Sequence, residues 1–429
     1  MHDMNRRRFL GLGARCLLAL GLGHFFPYLN NFALKTAEAA QSVPAGFDSL
    51  LETRFLRQII TSDSHTGRTI MWQSEFLEEG VHAEYRLQGA SDILAAPASY
   101  EYVTEEGANF FIYTVHLKNL LPESAYEYRL VAGSAATNWT YLSTAGTEKF
   151  SALIFSDSQC ANYQIWQNFF QTALSRHSNI NFFIDNGDLT DNGTSPTQWE
   201  LFFSGMGAYP ATLPLAPVMG NHECYGLNWE NTLPLGFLRR FSLPVNNNQD
   251  FLGYYYSFDY GAVHFIVLNT QFEELDDLKP DLMTAELDWL YADAKKTAQP
   301  WLVVLMHKDI LTYTKSLDGK MGNLSYSGEN FLPCFDGLGV DLVLTGHMHA
   351  YRNRGKIYNL KPAENGTTYI MCGRSGDQYY AVDWDDVYDK KGDDGSGLNY
   401  ILMTADKNNL HLTCYMEDGT IIDEVSLTK

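Results

Sequence analysis

FSALIFSDSQ, at residues 150–159, is an apolar run that ends at a carboxylate. A short apolar run bounded by polar loop residues predicts a buried strand, which here delivers Asp157 at its C-terminal end. The same arrangement recurs in three later runs, 180–184, 301–306 and 340–344, which lead to Asp188, His307 and His347. Helical spacing between the runs, over 165–174 and 283–294, is typical of βαβ units. The segments 367–371, 400–404 and 410–415 add late strands, so we predict an α/β two-sheet sandwich flanked by helices.

Five short motifs follow one another over residues 157–349 and together indicate a two-metal site. They are Asp157-Ser158-Gln159, Gly187-Asp188-Leu189-Thr190-Asp191, Gly220-Asn221-His222-Glu223, His307 and Gly346-His347-Met348-His349. Two cations about 4 Å apart need an anionic ligand that bridges them, and a carboxylate has two oxygens for this. Imidazoles favour Zn, Fe, Mn or Ni over Ca or Mg, which prefer oxygen ligands. The glycines before Asp188, Asn221 and His347 allow the backbone to turn sharply toward the metals.

The order of these motifs resembles that of the calcineurin-like metallophosphoesterases, and YYYSFDYG at 254–261 resembles their purple acid phosphatase branch. The resemblance covers about 146–429 and implies two metal ions (Fe, Zn or Mn). It also implies the ligands: Asp157, Asp188 and His349 for the first metal, and Asp188, Asn221, His307 and His347 for the second. Asp188 would bridge the two. His222 would face the substrate phosphate and give a proton or hydrogen bond to the leaving oxygen, or alternatively would only orient Asn221.

Two positions depart from the purple acid phosphatase pattern. Asp191 stands where those enzymes carry the tyrosine that gives their colour, so no tyrosinate colour is expected. Other branches carry a histidine two residues after the first aspartate, and this chain has Gln159 there. The first metal shell therefore stays open between the Gln159 oxygen, Asp191 and water. Gln159 could equally be a hydrogen-bonding loop residue without metal contact.

The site and the resemblance together predict an exported hydrolase of phosphate monoesters. A hydroxide activated by the cations would attack phosphorus opposite the leaving alkoxide, and His222 would assist its departure. The alternative is a phosphodiesterase or nucleotide hydrolase on the same metals. A non-catalytic exported binding protein is a third interpretation, which the complete set of metal-binding residues disfavours. Substrate choice would depend on loops such as 225–252, and Gln378-Tyr379-Tyr380 could line the cleft or serve only aromatic packing.

The charge of the chain limits its partners. The 429 residues carry a formal net charge of −21, and five basic and two acidic residues fall in the first 39, so the remainder carries −24. Such an acidic surface argues against nucleic acid or an anionic membrane as the main partner. It allows a small-molecule phosphate ester, because the metals would supply local positive charge. The sequence leaves the oligomeric state open.

Residues 59–145 predict an all-β sandwich domain that precedes a catalytic domain at 146–429. Polar and apolar residues alternate over 69–72, 83–87 and 111–115, as in half-buried antiparallel strands. Residues 120–126, LLPESAY, resemble the tyrosine corner of fibronectin type III sandwiches, and such a domain also precedes the catalytic domain in purple acid phosphatases. A linker at 41–58 would join this domain to the N-terminal segment.

The first forty residues predict a twin-arginine signal peptide. NRRRFL at 5–10 precedes an apolar stretch at 16–26 and a small-residue cleavage region at 37–40. We therefore expect a periplasmic or secreted protein without stable membrane association after cleavage. The apolar stretch is about half a membrane span, which disfavours an uncleaved anchor.

Five cysteines follow the signal segment: Cys160, Cys224, Cys334, Cys372 and Cys414. Each of the first two directly follows a metal motif, so these two could form a disulfide in an oxidising compartment. Burial of all five as small apolar core residues is the favoured interpretation. The acidic stretch at 383–394 lacks the spacing of an EF-hand and is expected to be a solvated loop rather than a Ca²⁺ site.

Overall fold

The computed structural model describes residues 51–147, 149–312 and 322–429. They fall within one compact unit, Leu50–Lys429. The predicted export segment lies outside the described residues. Within those residues, no helix has the length and apolar character needed to cross a membrane.

The N-terminal part of the described chain is built of strands, as predicted. They are β1 (Arg54–Ile59), β2 (Arg68–Ser74), β3 (His82–Leu87), β4 (Leu94–Pro97), β5 (Ser99–Glu105), β6 (Ala108–Leu117), β7 (Ala125–Ala132), β8 (Ala135–Ala136) and β9 (Thr140–Ser143). Their inward faces bury a core in which Trp72 of β2 stacks on Tyr113 of β6 at 5.1 Å. The Tyr126 hydroxyl accepts a hydrogen bond from the Leu121 N–H at 2.9 Å, which is the contact expected of a tyrosine corner.

The remainder alternates strands with helices. The strands are β10 (Phe150–Phe155), β11 (Phe182–Asp185), β12 (Pro214–Pro217), β13 (Tyr256–Tyr260), β14 (Val263–Leu268), β15 (Trp301–Met306), β16 (Leu342–Thr345), β17 (Arg352–Tyr358), β18 (Lys361–Pro362), β19 (Thr367–Met371), β20 (Lys391–Gly392), β21 (Asn399–Ala405), β22 (Asn409–Met416) and β23 (Ile421–Thr428). The helices are α1 (Tyr163–Arg176), α2 (Pro196–Gly205), α3 (Leu235–Arg240), α4 (Phe272–Leu275), α5 (Leu282–Ala294) and α6 (Tyr326–Leu338), with short 3₁₀ turns at Tyr209–Ala211, His222–Cys224 and Gln249–Phe251.

Two large sheets confirm the predicted sandwich. One sheet has the order β23-β22-β21-β10-β11-β12-β1-β2-β6-β5, and the other runs β13-β14-β15-β16-β19-β17-β18 with β20 beside β17. A buried apolar layer that includes Ile154, Phe265 and Leu344 joins their inner faces. The helices cover the outer faces, as when Trp166 of α1 packs edge-on against Phe155 at 5.5 Å.

The predicted domain boundary at 145/146 is crossed by a sheet. Strand β1 pairs in parallel with β12 through Gln58 and Ile59, so the ten-stranded sheet continues from the half that carries the metal motifs into β2, β6 and β5. The third sheet, β4-β3-β7-β8 with β9 beside β7, completes the N-terminal sandwich. Strand β1 also occupies residues that the sequence assigned to a linker. The sequence pattern did not predict this strand, because Arg57 and Gln58 are polar although they are buried in it. Their side chains donate to the carbonyl oxygens of Arg240 and Ala211, respectively.

The parallel strands at the centre of both sheets position the predicted site. Strands β10, β11 and β12 are parallel neighbours in one sheet, and β14, β15 and β16 are parallel neighbours in the other. Every predicted metal motif follows the C-terminal end of one of these strands. Ligand-binding residues of α/β sheets typically lie at these ends, so one edge of the sandwich gathers all five motifs.

Candidate metal centre

Two groups of possible metal ligands share one carboxylate. Asp188, His307 and His347 form one group, and Asp157, Asp188 and His349 form the other, with the ligand atoms of each group within 4.8 Å of one another. Asp188 is buried, and its Oδ2 lies 2.9 Å from His307 Nε2. His349 Nε2 lies 3.4 Å from Asp157 Oδ1. The structure thus brings together the histidines and aspartates that the sequence selected.

Hydrogen bonds to backbone carbonyl oxygens orient two imidazoles of the site. Nδ1 of His307 lies 2.9 Å from the Asn186 carbonyl oxygen, and Nδ1 of His349 lies 2.8 Å from that of Gln378. A carbonyl oxygen only accepts, so each Nδ1 carries a proton, and each Nε2, on the side of the carboxylates, is the nitrogen that a cation would bind. Metal-binding histidines are commonly oriented in this way.

Asn221 contributes a further oxygen. Its neighbours Gly220 and His222 both approach Asp188, and the His222 N–H donates to Asp188 Oδ1 at 2.9 Å. Asn221 Oδ1 is buried and has no hydrogen-bond partner among the described residues. A buried acceptor in this condition is costly unless a cation or another group satisfies it, so the donor set fits the predicted cations.

The backbone at the site is held in an uncommon conformation. The φ angles of Asp157, Asp188, His347 and His349 are 52°, 59°, 75° and 56°. Left-handed conformations in residues other than glycine cost on the order of 1 kcal/mol or more and concentrate at functional sites. Strain at four of the predicted ligands indicates that the surrounding fold holds them in place.

Two of the predicted glycines are required, for different reasons. Gly187 has φ of 98°, and a Cβ there would lie 2.4 Å from His307 Nδ1. Gly220 has no positive φ, but a Cβ there would lie 2.1 Å from Asp188 Oδ1. The sharp turn predicted from the sequence therefore applies to Gly187, whereas Gly220 leaves room for Asp188.

Glu223 holds two of the ligand loops together, a role that the sequence did not reveal. Its Oε2 accepts from the N–H groups of Asp188 at 3.0 Å and Gly220 at 2.7 Å, and its Oε1 accepts from those of Leu189 at 2.8 Å and Thr190 at 3.3 Å. Burial and the nearby Asp188 carboxylate raise the pKa of Glu223 to about 7, against the opposing effect of the N–H donors. The only signal was its place directly after His222.

Gln159 and Asp191 occupy different places at the first group. One end of the Gln159 amide lies 2.8 Å from the Asp188 carbonyl oxygen and 3.2 Å from that of Asp157, so this end is the nitrogen. The amide oxygen is then the atom 3.4 Å from His349 Nε2. The Asp191 carboxylate accepts from the Gln378 side chain and lies 3.9 Å from His222 Nδ1. Of these two candidates, Gln159 therefore has its oxygen beside the first group.

The charges of the site are strongly coupled. Burial alone would raise the pKa of Asp188, but the facing His307 and His222 lower it well below its usual range. Burial lowers the pKa of His307, yet Asp188 outweighs this and raises it to about 9. Burial and the neighbouring His307 lower the pKa of His347. The cluster thus concentrates buried carboxylate charge that suits cations.

Aromatic side chains form the rim of the centre. The ring of Tyr380 lies 4.3 Å from that of His349, and Trp229 lies 5.7 Å from His222 with its own ring half exposed. Gln378 and Tyr380 therefore do line the site. The acidic stretch that follows is solvated only in part: Asp383, Asp386 and Asp394 are exposed as expected, whereas Asp389 is buried and pairs with Arg354 at 2.9 Å.

Two basic residues that lie near the metal motifs, Lys308 and Arg374, are engaged by other groups. Lys308 binds both carboxylate oxygens of Glu274 at 2.8 Å. Arg374 donates to the carbonyl oxygens of Gly376, Gly395 and Ser396. The five described cysteines are free and buried, so the suggested disulfide between Cys160 and Cys224 is not formed.

Comparisons with known proteins agree with this architecture. Residues 150–351 match the family model of the calcineurin-like phosphoesterases. Purple acid phosphatase 15 of Arabidopsis thaliana is 27% identical over 222 residues, which are 47% of this chain and 38% of that protein. Purple acid phosphatase 22 of the same plant is 25% identical over 287 residues, 65% of this chain and 62% of that protein. The matches thus span less than two thirds of either relative.

A solved structure shows the same fold. The purple acid phosphatase PPD1 from yellow lupin (Lupinus luteus) seeds superposes with a TM-score of 0.71 at 18% identity, covering 88% of this chain and 74% of that one. Residues 150–351 thus resemble the calcineurin-like phosphoesterases in sequence, and the chain shares the fold of a purple acid phosphatase. The predicted resemblance to the metallophosphoesterases, and to purple acid phosphatases in particular, is confirmed.

Proposed function

We propose that this protein is an exported binuclear-metal phosphoesterase that hydrolyses phosphate monoesters. The observation that carries the proposal is the sharing of buried Asp188 by two groups of ligand atoms. A carboxylate placed in this way can bridge two cations. The phosphoesterase family match and the purple acid phosphatase relatives support the same reaction class.

The ligand assignment follows the two groups. Asp157, Asp188 and His349 would hold the first metal, with the Gln159 oxygen beside them, and Asp188, Asn221, His307 and His347 would hold the second. The residue types fit Fe, Zn or Mn, because imidazole and carboxylate ligands are mixed. When bound, the two cations would activate water and neutralise charge on the phosphate.

His222 is the proposed proton donor. Its Nδ1 lies 2.8 Å from the Asp191 carbonyl oxygen, to which it donates, so the ring is fixed with Nε2 on the side of Asp188, 3.9 Å from Oδ2. Burial lowers the pKa of His222, but Asp188 and Asp191 outweigh it and raise the pKa. A protonated Nε2 in this position can pass its proton to a leaving oxygen.

The substrate proposed is a small-molecule phosphate ester. Lys308 and Arg374 are already paired, so the charge of one phosphate would be met by the cations and His222. A phosphodiesterase or nucleotide hydrolase is the second candidate on the same groups. The predicted twin-arginine signal at 1–40 supports a periplasmic or secreted location, and the net charge of −21 suits neither nucleic acid nor an anionic membrane.

A pair of esters with the same leaving group tests the proposal. The full chain, supplied in turn with Fe, Zn and Mn, is assayed on p-nitrophenyl phosphate and bis(p-nitrophenyl) phosphate. We expect metal-dependent hydrolysis of the monoester, faster than of the diester, and its loss in Asp188→Asn. Asp250→Asn, an exposed aspartate outside the site, is the matched control. A faster diester reaction would select the second candidate. A folded protein that cleaves neither ester with any metal would refute hydrolysis and favour a binding role.

A further inference from the structure

A tight turn at residues 226–230 places an indole ring beside the proposed proton donor. The ring of Trp229 lies 5.7 Å from His222 and 5.9 Å from Tyr225, and Tyr225 lies 5.5 Å from His222. Trp229 is 46% exposed although the chain buries most of its large aromatic residues. The indole thus offers a flat apolar surface next to the site where the leaving alcohol would depart.

The turn is built to hold this ring. Gly226 N–H donates to the Glu230 carbonyl oxygen, and Trp229 N–H donates to the Gly226 carbonyl oxygen, both at 2.9 Å. The Asn192 side chain also donates to the Gly226 carbonyl oxygen at 2.8 Å, which ties the turn to the loop after Asp188. Trp229 nevertheless has φ of 64°. For a bulky residue this conformation is a genuine outlier, and such strain concentrates at ligand sites.

The charged groups around Trp229 favour an uncharged leaving group over one that carries a second phosphate. Lys308 is bound to Glu274, whose carboxylate also accepts from the Tyr225 hydroxyl at 3.3 Å, beside Trp229 and His222. A second phosphate on the leaving group would therefore meet a carboxylate and two aromatic rings. An uncharged planar ring would instead stack on the indole, because nucleobases and other aromatic groups stack on Trp and Tyr.

We propose that Trp229 is a specificity-determining residue that stacks a planar aromatic group, such as a nucleobase, on the alcohol of the phosphate monoester. This proposal rests on the proposed phosphomonoesterase function. Adenosine 5′-monophosphate and ribose 5-phosphate test the proposal, because in both esters the leaving oxygen is the primary 5′ oxygen of ribose and only the nucleotide carries a base. We expect kcat/KM of the full-length, metal-loaded protein to be about tenfold higher for the nucleotide, in line with stacking on a single ring.

Four variants separate stacking from other effects. Trp229→Ala should reduce the ratio of the two kcat/KM values about tenfold, whereas Trp229→Phe should keep most of it. Trp229→Gly removes the ring and also the strain of the positive φ angle. It should therefore lower the ratio of the two kcat/KM values as Trp229→Ala does, while the free energy of unfolding does not fall. Leu227→Ala is the matched control, since it removes a side chain of equal exposure, 46%, from the same turn.

The outcomes distinguish this proposal from the function on which it rests. Equal kcat/KM values for both esters, or a ratio that survives in Trp229→Ala and Trp229→Gly, would overturn the stacking role and leave the phosphatase intact. If neither ester is hydrolysed, calorimetry decides: tighter binding of adenosine 5′-monophosphate than of ribose 5-phosphate, lost in Trp229→Ala, would still support stacking. Equal binding of the two would refute it.

Discussion

Glu223 offers the sharpest prediction about how the site is held. Replacing it with glutamine keeps its shape but leaves one oxygen where there were two. That oxygen can serve either the N–H groups of Leu189 and Thr190 or those of Asp188 and Gly220. The amide NH₂ then faces the other two N–H groups. Because Glu223 is buried, no water can replace the lost acceptor.

The expected cost follows from two unsatisfied donors. Each buried N–H left without an acceptor costs about 1–3 kcal/mol, so at pH 8.5, where Glu223 is ionised, Glu223→Gln should lower the free energy of unfolding by about 4 kcal/mol. Glu286→Gln is the matched control. Glu286 is equally buried but accepts one N–H, that of Asn269 at 2.6 Å, and burial raises its pKa well above the usual range. A protonated carboxyl resembles an amide, so this control should cost about 1 kcal/mol or less.

Urea unfolding of the full chain, followed by tryptophan fluorescence, measures both variants against the parent protein. The account also expects Glu223→Gln to weaken metal binding, because the loops of Asp188 and Asn221 lose their common anchor, and Glu286→Gln to leave metal binding unchanged. Equal destabilisation by the two substitutions would refute the reasoning. So would full stability of Glu223→Gln.

Three further predictions concern single residues. Burial lowers the pKa of His264, but Asp259 at 2.6 Å and Asp293 at 3.0 Å outweigh it and raise the pKa from 6.5 to about 9. The protonated imidazole therefore contributes up to about 3 kcal/mol to the free energy of unfolding below pH 6.5, and this contribution is lost as the pH rises toward 9. Asp293→Asn should flatten this dependence in unfolding experiments at pH 6 and 9.5, and an unchanged slope would contradict the pairing. His222→Asn should lower kcat about 10²- to 10⁴-fold with metal content unchanged, as measured by steady-state kinetics and metal analysis. Gly220→Ala should abolish hydrolysis while circular dichroism stays native, because its Cβ would meet Asp188, whereas Gly337→Ala, with open space around it, should be fully active.

The strands that carry the site were predictable because their apolar runs are short and unbroken. The run at 150–155 coincides with β10, and that at 301–306 coincides with β15. Polar residues that follow parallel strands meet at one edge, so the grouping of Asp157, Asp188 and His307 also followed from the sequence. Local pattern and a simple rule of sheet topology were sufficient there.

Features that depend on distant partners were not predictable. Strand β1 was hidden because Arg57 and Gln58 are buried on carbonyl groups far along the chain. The burial of Asp389 within the acidic stretch was not predictable, because its partner Arg354 lies 35 residues earlier in the chain. The position of Trp229 depends on the turn and its tie to Asn192, for which the residue pattern gives no signal.

The central claim is that two cations share Asp188. Anomalous diffraction from crystals of the metal-loaded full chain tests it most directly. The account predicts two peaks on either side of the Asp188 carboxylate, about 3.5–4 Å apart, one beside Asp157 and His349 and the other beside His307 and His347. A single peak, or two peaks that do not share Asp188, would contradict it.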